Sequence, residues 1–489
     1  MAISSPSHQT QIHIVFVPML APGHFIPMID MAKLLAIHGG IKATIIITPT
    51  IAARYNQSSE PSSNSIPISF VQIPFPSDEF GLPEGCETVD TLPSGQWANF
   101  GSALKIWQTS VENFIEKMEP LPTCMISDRF IPQVAGIAER LGLKRIIFDG
   151  MGCLNLLITH QIEVSKIYET VEESEHFVVP GLPHEIELTK KQIPSFICPV
   201  LPSMIEYRDN IKEADRHAYG ILINSFEELE PDYIVELQKI YKNRAWCIGP
   251  LSLRNKEKKE KAIRGNKAAI DEHECLKWLD NQDSDSVIYA CLGSLSKIAP
   301  PQLAELGLAL EKSNRPFIWV LRATETKLEI EKWMLENKYE ERIHGRGLLI
   351  WGWAPQVLIL SHKAVGGFIT HCGWNSTIEG ISSGVPMITW PLFGEQFFNE
   401  KLVSQILGVG VSVGAKTSIG ITSEQTEVEV LVKNEEILEA IEKVMNGDEG
   451  GTERRKRAKE MSEAAKKATE EGGSSYHNIT MFLQDMVIS

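Results

Sequence analysis

The sequence predicts an α/β protein built as two domains that face a cleft. Three observations carry this expectation. Apolar strand patterns alternate with amphipathic helix patterns through the first half, a second such series begins near Val287, and a charged segment separates the two. At 489 residues the chain exceeds one ordinary core, and about two to three domains is the expectation from length.

The first strand is read over Ile12 to Val17, followed by the loop PMLAPGH. A helix begins near Phe25, with Met28, Met31, Ala32 and Leu35 on one face and Gly39 and Gly40 at its end. The β-branched run Ala43 to Thr48 has the composition of a buried parallel strand, and the three elements make a βαβ unit. The pattern returns with a strand at Cys124 to Ser127, a helix over Pro132 to Leu141 and strands at Arg145 to Phe148 and Gly220 to Asn224. Pro- and Gly-rich stretches at Pro61 to Pro93 and Pro180 to Pro202 read as long functional loops. Asn255 to Lys267, NKEKKEKAIRGNK, reads as a solvated interdomain linker, because it lacks large apolar residues and interleaves glutamate with lysine. In the second series, strands are read at Val287 to Leu292, Phe317 to Leu321, Leu348 to Trp351, Gly367 to Thr370 and Met387 to Trp390, with a helix over Gln302 to Glu311. The end is helical over Asn434 to Glu471 and again from Tyr476. The expected division is a domain over 1–250, a linker over 251–272 and a domain over 273–489, with the last helix packing back on the first domain.

Composition excludes several classes. Apolar residues make up 43% and charged residues 22%, which is globular rather than disordered. The net charge of -16 argues against a general nucleic-acid or anionic-membrane binder. No run approaches about 18 uninterrupted apolar residues, so no membrane span is expected. The eight cysteines form no CxxC pair, which fits a reducing compartment. The polar start MAISSPSHQTQ has no signal-peptide character, so the Asn-x-Ser/Thr matches at Asn56, Asn375 and Asn478 are read as chance and the expected location is the cytoplasm. A monomer is expected.

Ligands in doubly wound sheets sit beyond the carboxyl ends of the strands. His24, at the end of the first strand-to-helix loop, is either a proton acceptor for a bound hydroxyl or a polar cap. Asp128, ending a strand of the same sheet, is either the partner that orients such a histidine or an ordinary turn aspartate. Gly293-Ser294 follows a strand and offers close approach and a hydroxyl to a phosphate. At His371-Cys372-Gly373-Trp374-Asn375-Ser376 a strand ends and a helix begins. Backbone N–H groups, an imidazole and a hydroxyl converge there as a diphosphate requires, although a capped helix over a buried Trp fits too. His362, His371 and Cys372 lack zinc-ligand spacing, so no metal is expected. Trp353 and Gln356 suit a base, Glu379 at i+4 from Asn375 suits a ribose diol, and Glu395 and Gln396 suit sugar hydroxyls.

Taken whole, Trp353 to Gln396 resembles the signature box of plant family-1 UDP-sugar glycosyltransferases: WAPQ, the HCGWNS core, EG-x-x-x-GVP and a closing EQ, without a gap. GH in PMLAPGHFIPMIDMAKLLA resembles that family's catalytic histidine loop, and ISDRF its aspartate site. GLPEGCE, FVVPGLPHEIELT and EEGGSSYHNI are similar to a subgroup acting on flavonoids, steroids and triterpenoids. The resemblance implies the GT-B fold, two Rossmann-like domains, and an inverting enzyme that uses a UDP-sugar and no further cofactor. It implies that Trp353, Ala354 and Gln356 hold uracil, Glu379 the ribose, and Ser294, His371, Asn375 and Ser376 the diphosphate. Trp374, Glu395 and Gln396 would hold the sugar. The closing Gln396 points to glucose, while the subgroup also includes users of UDP-galactose, UDP-xylose and UDP-glucuronate, and the acceptor could be a saponin whose sugar chain is extended. Glu395 stands where the family often has aspartate, and Leu292 where many members have Phe.

Phe130, Phe196 and Phe393 are read as an apolar acceptor pocket. Two rival classes are poorly served by the sequence. A Rossmann-type dehydrogenase wants GxGxxG after a strand, and the first loop reads APGHFIP. A catalytically dead nucleotide-sugar binder would be expected to lack His24 or Asp128.

Overall fold

The computed structural model describes residues 11–56, 68–199, 201–296, 298–322, 326–418 and 430–488. Among the described residues fifteen strands run in chain order. They are β1 (His13–Val17), β2 (Lys42–Ile47), β3 (Ile68–Gln72), β4 (Cys124–Asp128), β5 (Lys144–Phe148), β6 (His176–Val178), β7 (Glu187–Thr189) and β8 (Gly220–Ile223). They continue with β9 (Ala245–Cys247), β10 (Val287–Cys291), β11 (Phe317–Leu321), β12 (Gly347–Trp351), β13 (Val365–Thr370), β14 (Met387–Thr389) and β15 (Gly410–Ser412).

They form two parallel sheets, ordered β3-β2-β1-β4-β5-β8-β9 and β12-β11-β10-β13-β14-β15, plus a small antiparallel pair of β6 with β7. Helices cover both faces, so the inner strands are buried from end to end; HIVFV in β1 and CMISD in β4 leave no residue exposed. Each sheet grows outward from its first strand and then reverses. The reversal falls between β1 and β4 in one sheet and between β10 and β13 in the other. Such switch points open a crevice at the carboxyl ends of the two strands.

The final helix, Ser474–Ile488, returns to the N-terminal sheet. Its Ile479, Phe482, Leu483 and Met486 join the N-terminal core, with Phe482 edge-on to Trp246 at 5.4 Å. His38 Nε2 lies 2.9 Å from Thr480 Oγ1, and Lys144 Nζ donates to the Asp485 carbonyl.

Several elements differ from the sequence reading. The stretch read as a loop over Pro61 to Pro93 contains β3, an edge strand whose ISFVQ residues are only half-buried or exposed, so its apolar signal is weak. The stretch read as one helix over Asn434 to Glu471 is two, Asn434–Met445 and Glu449–Thr469. Asp448 restarts it, its carboxylate accepting from Gly451 N at 2.7 Å. The solvated linker is corrected too: Lys258–Ala262 forms a short helix, and Arg264 just beyond it is buried between two carboxylates.

Phe482→Ala should lower stability by about 3–5 kcal/mol, read as an earlier urea transition. An unmoved transition would mean that the last helix contributes nothing to the N-terminal core.

Candidate active site

The helix Pro22–Gly39 follows β1, with Pro22 at its first position. This puts His24 in the first turn, beside the carboxyl end of β4, because β1 and β4 pair with Val17 opposite Ser127. Asp128, fully buried, accepts from His24 Nδ1 at 2.9 Å through one oxygen and from Phe130 N at 2.9 Å through the other. A carboxylate only accepts, so Nδ1 carries the hydrogen and Nε2 is left with its lone pair. The His24 side chain is 24% exposed, enough for a hydroxyl to reach it. Burial by itself pulls the imidazole pKa down. The charge and hydrogen bond of Asp128, helped by Asp149 and Glu395, outweigh it, and the net shift is upward.

Arg129 braces this corner. Its guanidinium donates to Asp149 at 2.9 Å and Asp215 at 2.7 Å. Burial raises the Asp149 carboxyl, and Arg129 offsets only part of it. Phe130 stands edge-on to His24 at 5.6 Å, and Phe196 edge-on to Phe130 at 5.6 Å. Tyr207 donates its hydroxyl to the Phe130 carbonyl and holds the pair in place. Phe393 is half-buried and packs against the C-terminal core.

The second switch point carries the other group of residues. β10 pairs with β13, Cys291 opposite Thr370, so Gly293-Ser294 and His371 emerge side by side. Gly293 has φ +84°, and a Cβ there would lie 2.5 Å from His371 Nε2, so only glycine fits. Burial pushes the His371 pKa down to about 4, so the ring is neutral near pH 7. Cys372 turns the chain at φ +64°, a strained conformation for a side chain of this kind. Thr370 Oγ1 accepts from its N–H at 3.2 Å, and Asn399 donates to its carbonyl at 2.9 Å, which holds the turn. The helix Trp374–Ser383 then opens with no side-chain cap on its first amides.

Along that helix Glu379 meets Gln356, whose Nε2 donates to Glu379 at 2.8 Å and to Ser376 Oγ at 3.0 Å. The Ser376 hydroxyl hydrogen stays available to a ligand. Ala354 is buried beside Gln356. Gln396 is buried, and its Oε1 accepts from the Leu392 and Phe393 amides at 2.8 and 3.0 Å, which leaves its NH2 as the free donor. The Glu395 carboxyl is pushed up by burial, against backbone amides and the charge of His24. Trp353 Nε1, His371 Nδ1 and Asn375 Oδ1 are buried polar atoms without hydrogen-bond partners, all on residues of the signature box. Buried polar atoms are rarely left so, and each of these is open to a polar ligand.

Three contacts tie the two groups together. Pro27 has no N–H to give the carbonyl four residues back, which is that of Gly23. Asn375 Nδ2 donates to that carbonyl instead, at 2.8 Å, beside His24. The Trp374 indole crosses into the N-terminal half, where Nε1 donates to the Asn224 carbonyl at 2.8 Å and the ring lies against Gly152. With its indole 3% exposed and its N–H spent, Trp374 has only its backbone to offer a sugar. Arg264 donates to Asp30 at 2.6 Å and to Glu379 at 2.5 Å. The sequence reading missed Arg264, Asp30 and the bracing set Arg129, Asp149 and Asp215. Their partners lie up to 234 residues apart, and no local pattern marks them.

Among the described residues no group of three or more His, Cys, Asp or Glu is arranged to hold a metal, and no helix is long and apolar enough to cross a membrane.

Residues 262–446 match the family model for UDP-glucoronosyl and UDP-glucosyl transferase. The chain is 48% identical over 480 residues to UDP-glycosyltransferase 73C1 of Arabidopsis thaliana, covering 97% of each. It is 46% identical over 491 residues to UDP-glycosyltransferase 73C11 of Barbarea vulgaris, covering 99% of this chain and 98% of that one. Its fold matches that of Glycyrrhiza uralensis UGT73P12 complexed with glycyrrhetinic acid 3-O-monoglucuronide, with TM-score 0.88 and 36% identity over 98% of this chain and 96% of that one. It also matches Phytolacca americana UGT2 complexed with UDP-2fluoro-glucose and pterostilbene, with TM-score 0.74 and 27% identity over 97% and 99%. With two doubly wound sheets, a histidine–aspartate pair at one switch point and the signature box at the other, the chain belongs to the plant family-1 UDP-dependent glycosyltransferases, GT-B enzymes that move a sugar from a UDP-sugar to a small metabolite.

Proposed function

We propose that this enzyme transfers glucose from UDP-glucose to a hydroxyl of an apolar plant metabolite, a flavonoid, steroid or triterpenoid, with inversion at the anomeric carbon. The observation that carries the reading is the His24–Asp128 pair, with Nε2 open and the donor helix tied to its own first turn by Asn375. His24 Nε2 takes the acceptor's proton. The acceptor oxygen attacks the anomeric carbon, the bond from that carbon to the diphosphate oxygen breaks, and UDP leaves with the electron pair. Asp128 keeps the ring in the right tautomer and stabilises the imidazolium.

Charge then grows on the diphosphate. The uncapped amides of Trp374–Ser383, the hydroxyls of Ser294 and Ser376 and the neutral His371 face it as hydrogen-bond donors. Trp353, Ala354 and Gln356 take the uracil, Glu379 the ribose, and the Gln396 NH2 with Glu395 the glucose hydroxyls. Phe130 and Phe196 supply an apolar wall beside the base for the acceptor. A phenol, with a pKa of about 10, asks less of His24 than an aliphatic alcohol does. The UDP-sugar is the co-substrate, and the reading includes no other cofactor and places the enzyme in the cytoplasm as a monomer.

A second reading is extension of a sugar chain already on a triterpenoid. It is favoured by the relative crystallised with a triterpenoid monoglucuronide, which resembles this chain over nearly its whole length.

Incubation with UDP-glucose and a panel of flavonol, sterol, triterpenoid and triterpenoid monoglucoside acceptors should give products heavier by one hexose. Products only with UDP-galactose, UDP-xylose or UDP-glucuronate would overturn the donor assignment. Since the base must be neutral, kcat/KM should rise with pH through a midpoint above the ordinary histidine value of about 6.5. Asp128→Asn removes the charge that holds this pKa up, so the downward pull of burial prevails. The midpoint should move to lower pH while kcat falls. A pH–rate profile that keeps its midpoint in the variant would contradict the dyad.

A further inference from the structure

We infer that Arg264 is an internal competitor for the nucleoside end of the donor site, which the UDP-sugar must displace in order to bind. The inference rests on the reading of Glu379 as the ribose ligand and Trp353 as the uracil platform.

Both oxygens of the buried Glu379 carboxylate are occupied by protein groups. Oε1 accepts from Arg264 Nη1 at 2.5 Å and Oε2 from Gln356 Nε2 at 2.8 Å. Each oxygen keeps a second lone pair, so a ribose diol competes with Arg264 for approach to the carboxylate rather than for a last acceptor site. Of the two occupants, Gln356 belongs to the signature box itself, whereas Arg264 comes from the segment between the two sheets. The next residue extends the overlap. Gly265, at φ +94°, lies so close to Trp353 that a Cβ there would fall 2.3 Å from the indole. Ala269 N donates to the Trp353 carbonyl at 2.8 Å, which fixes the far end of the segment. Residues 264–269 therefore lie over the carboxylate and against the indole that a nucleoside would use.

Displacement need not strand the guanidinium in a dry site. Arg264, 10% exposed, also donates through Nε to Asp30 at 2.6 Å, and that contact can persist when Glu379 is released. Asp30 sits on the helix that carries His24. Binding of the nucleoside thus exchanges a bridge between the two halves for an arginine held on the catalytic helix alone.

The test uses the full-length enzyme with UDP and 2′,3′-dideoxy-UDP as probes. Arg264→Met keeps the stem and removes the competitor, and it should tighten UDP by about tenfold, the size of one charge-assisted hydrogen bond. The gain should be much smaller for the dideoxy probe. Hydrogen exchange on the wild-type enzyme gives a readout that does not depend on the variant folding: the 264–269 amides should exchange faster when UDP is added. Slower exchange there, or a variant that folds and binds UDP no more tightly, would overturn the inference while leaving Glu379 as the ribose ligand. If the wild-type enzyme binds both probes equally, the ribose reading itself fails, and the inference falls with it.

Discussion

A proline in the first helix frees the carbonyl of Gly23, and the amide of Asn375 takes it. This hydrogen bond joins the residue before His24 to the first turn of the helix Trp374–Ser383, and the proposed working geometry depends on it. A displacement reaction needs acceptor oxygen, base and anomeric carbon held together closely, and a misplacement of about 1 Å can cost on the order of a hundredfold in rate. His24, the proposed base, belongs to one sheet and the signature-box residues to the other. The Trp374 indole on Asn224 adds a second tie around the same crevice.

The two histidines at the switch points show how one fold sets two different basicities. His24 and His371 are both pulled down by burial. His24 has a buried carboxylate on Nδ1, and its basicity is restored and exceeded. His371 has no such partner and packs against two glycines, so it stays neutral near pH 7. One ring is suited to gain a proton and the other to donate a hydrogen bond without changing charge. The charges of Asp149 and Glu395 add to this difference.

Much of this was legible in the sequence because the parts lie at strand ends. β-branched runs announce buried parallel strands, and His24, Asp128, Gly293 and His371 each follow one within a few residues. What the sequence hid depends on distance along the chain. Arg264 looked like one more charge in a lysine-rich linker, and only folding brings it to Asp30 and Glu379. Trp374 reads as a sugar contact from its place in the signature box, yet its indole points across to Asn224. β3 was lost in a proline-rich stretch because an edge strand keeps little apolar signal.

The account turns on proton transfer to His24, and the most direct measurement is single-turnover sugar transfer by His24→Ala, with UDP affinity determined on the same preparation. The rate with an aliphatic alcohol acceptor should fall by about 10²–10⁴-fold, the usual contribution of a general base. A phenol should lose less, and UDP affinity should be unchanged because His24 lies outside the donor half. Undiminished transfer to the alcohol would contradict the account.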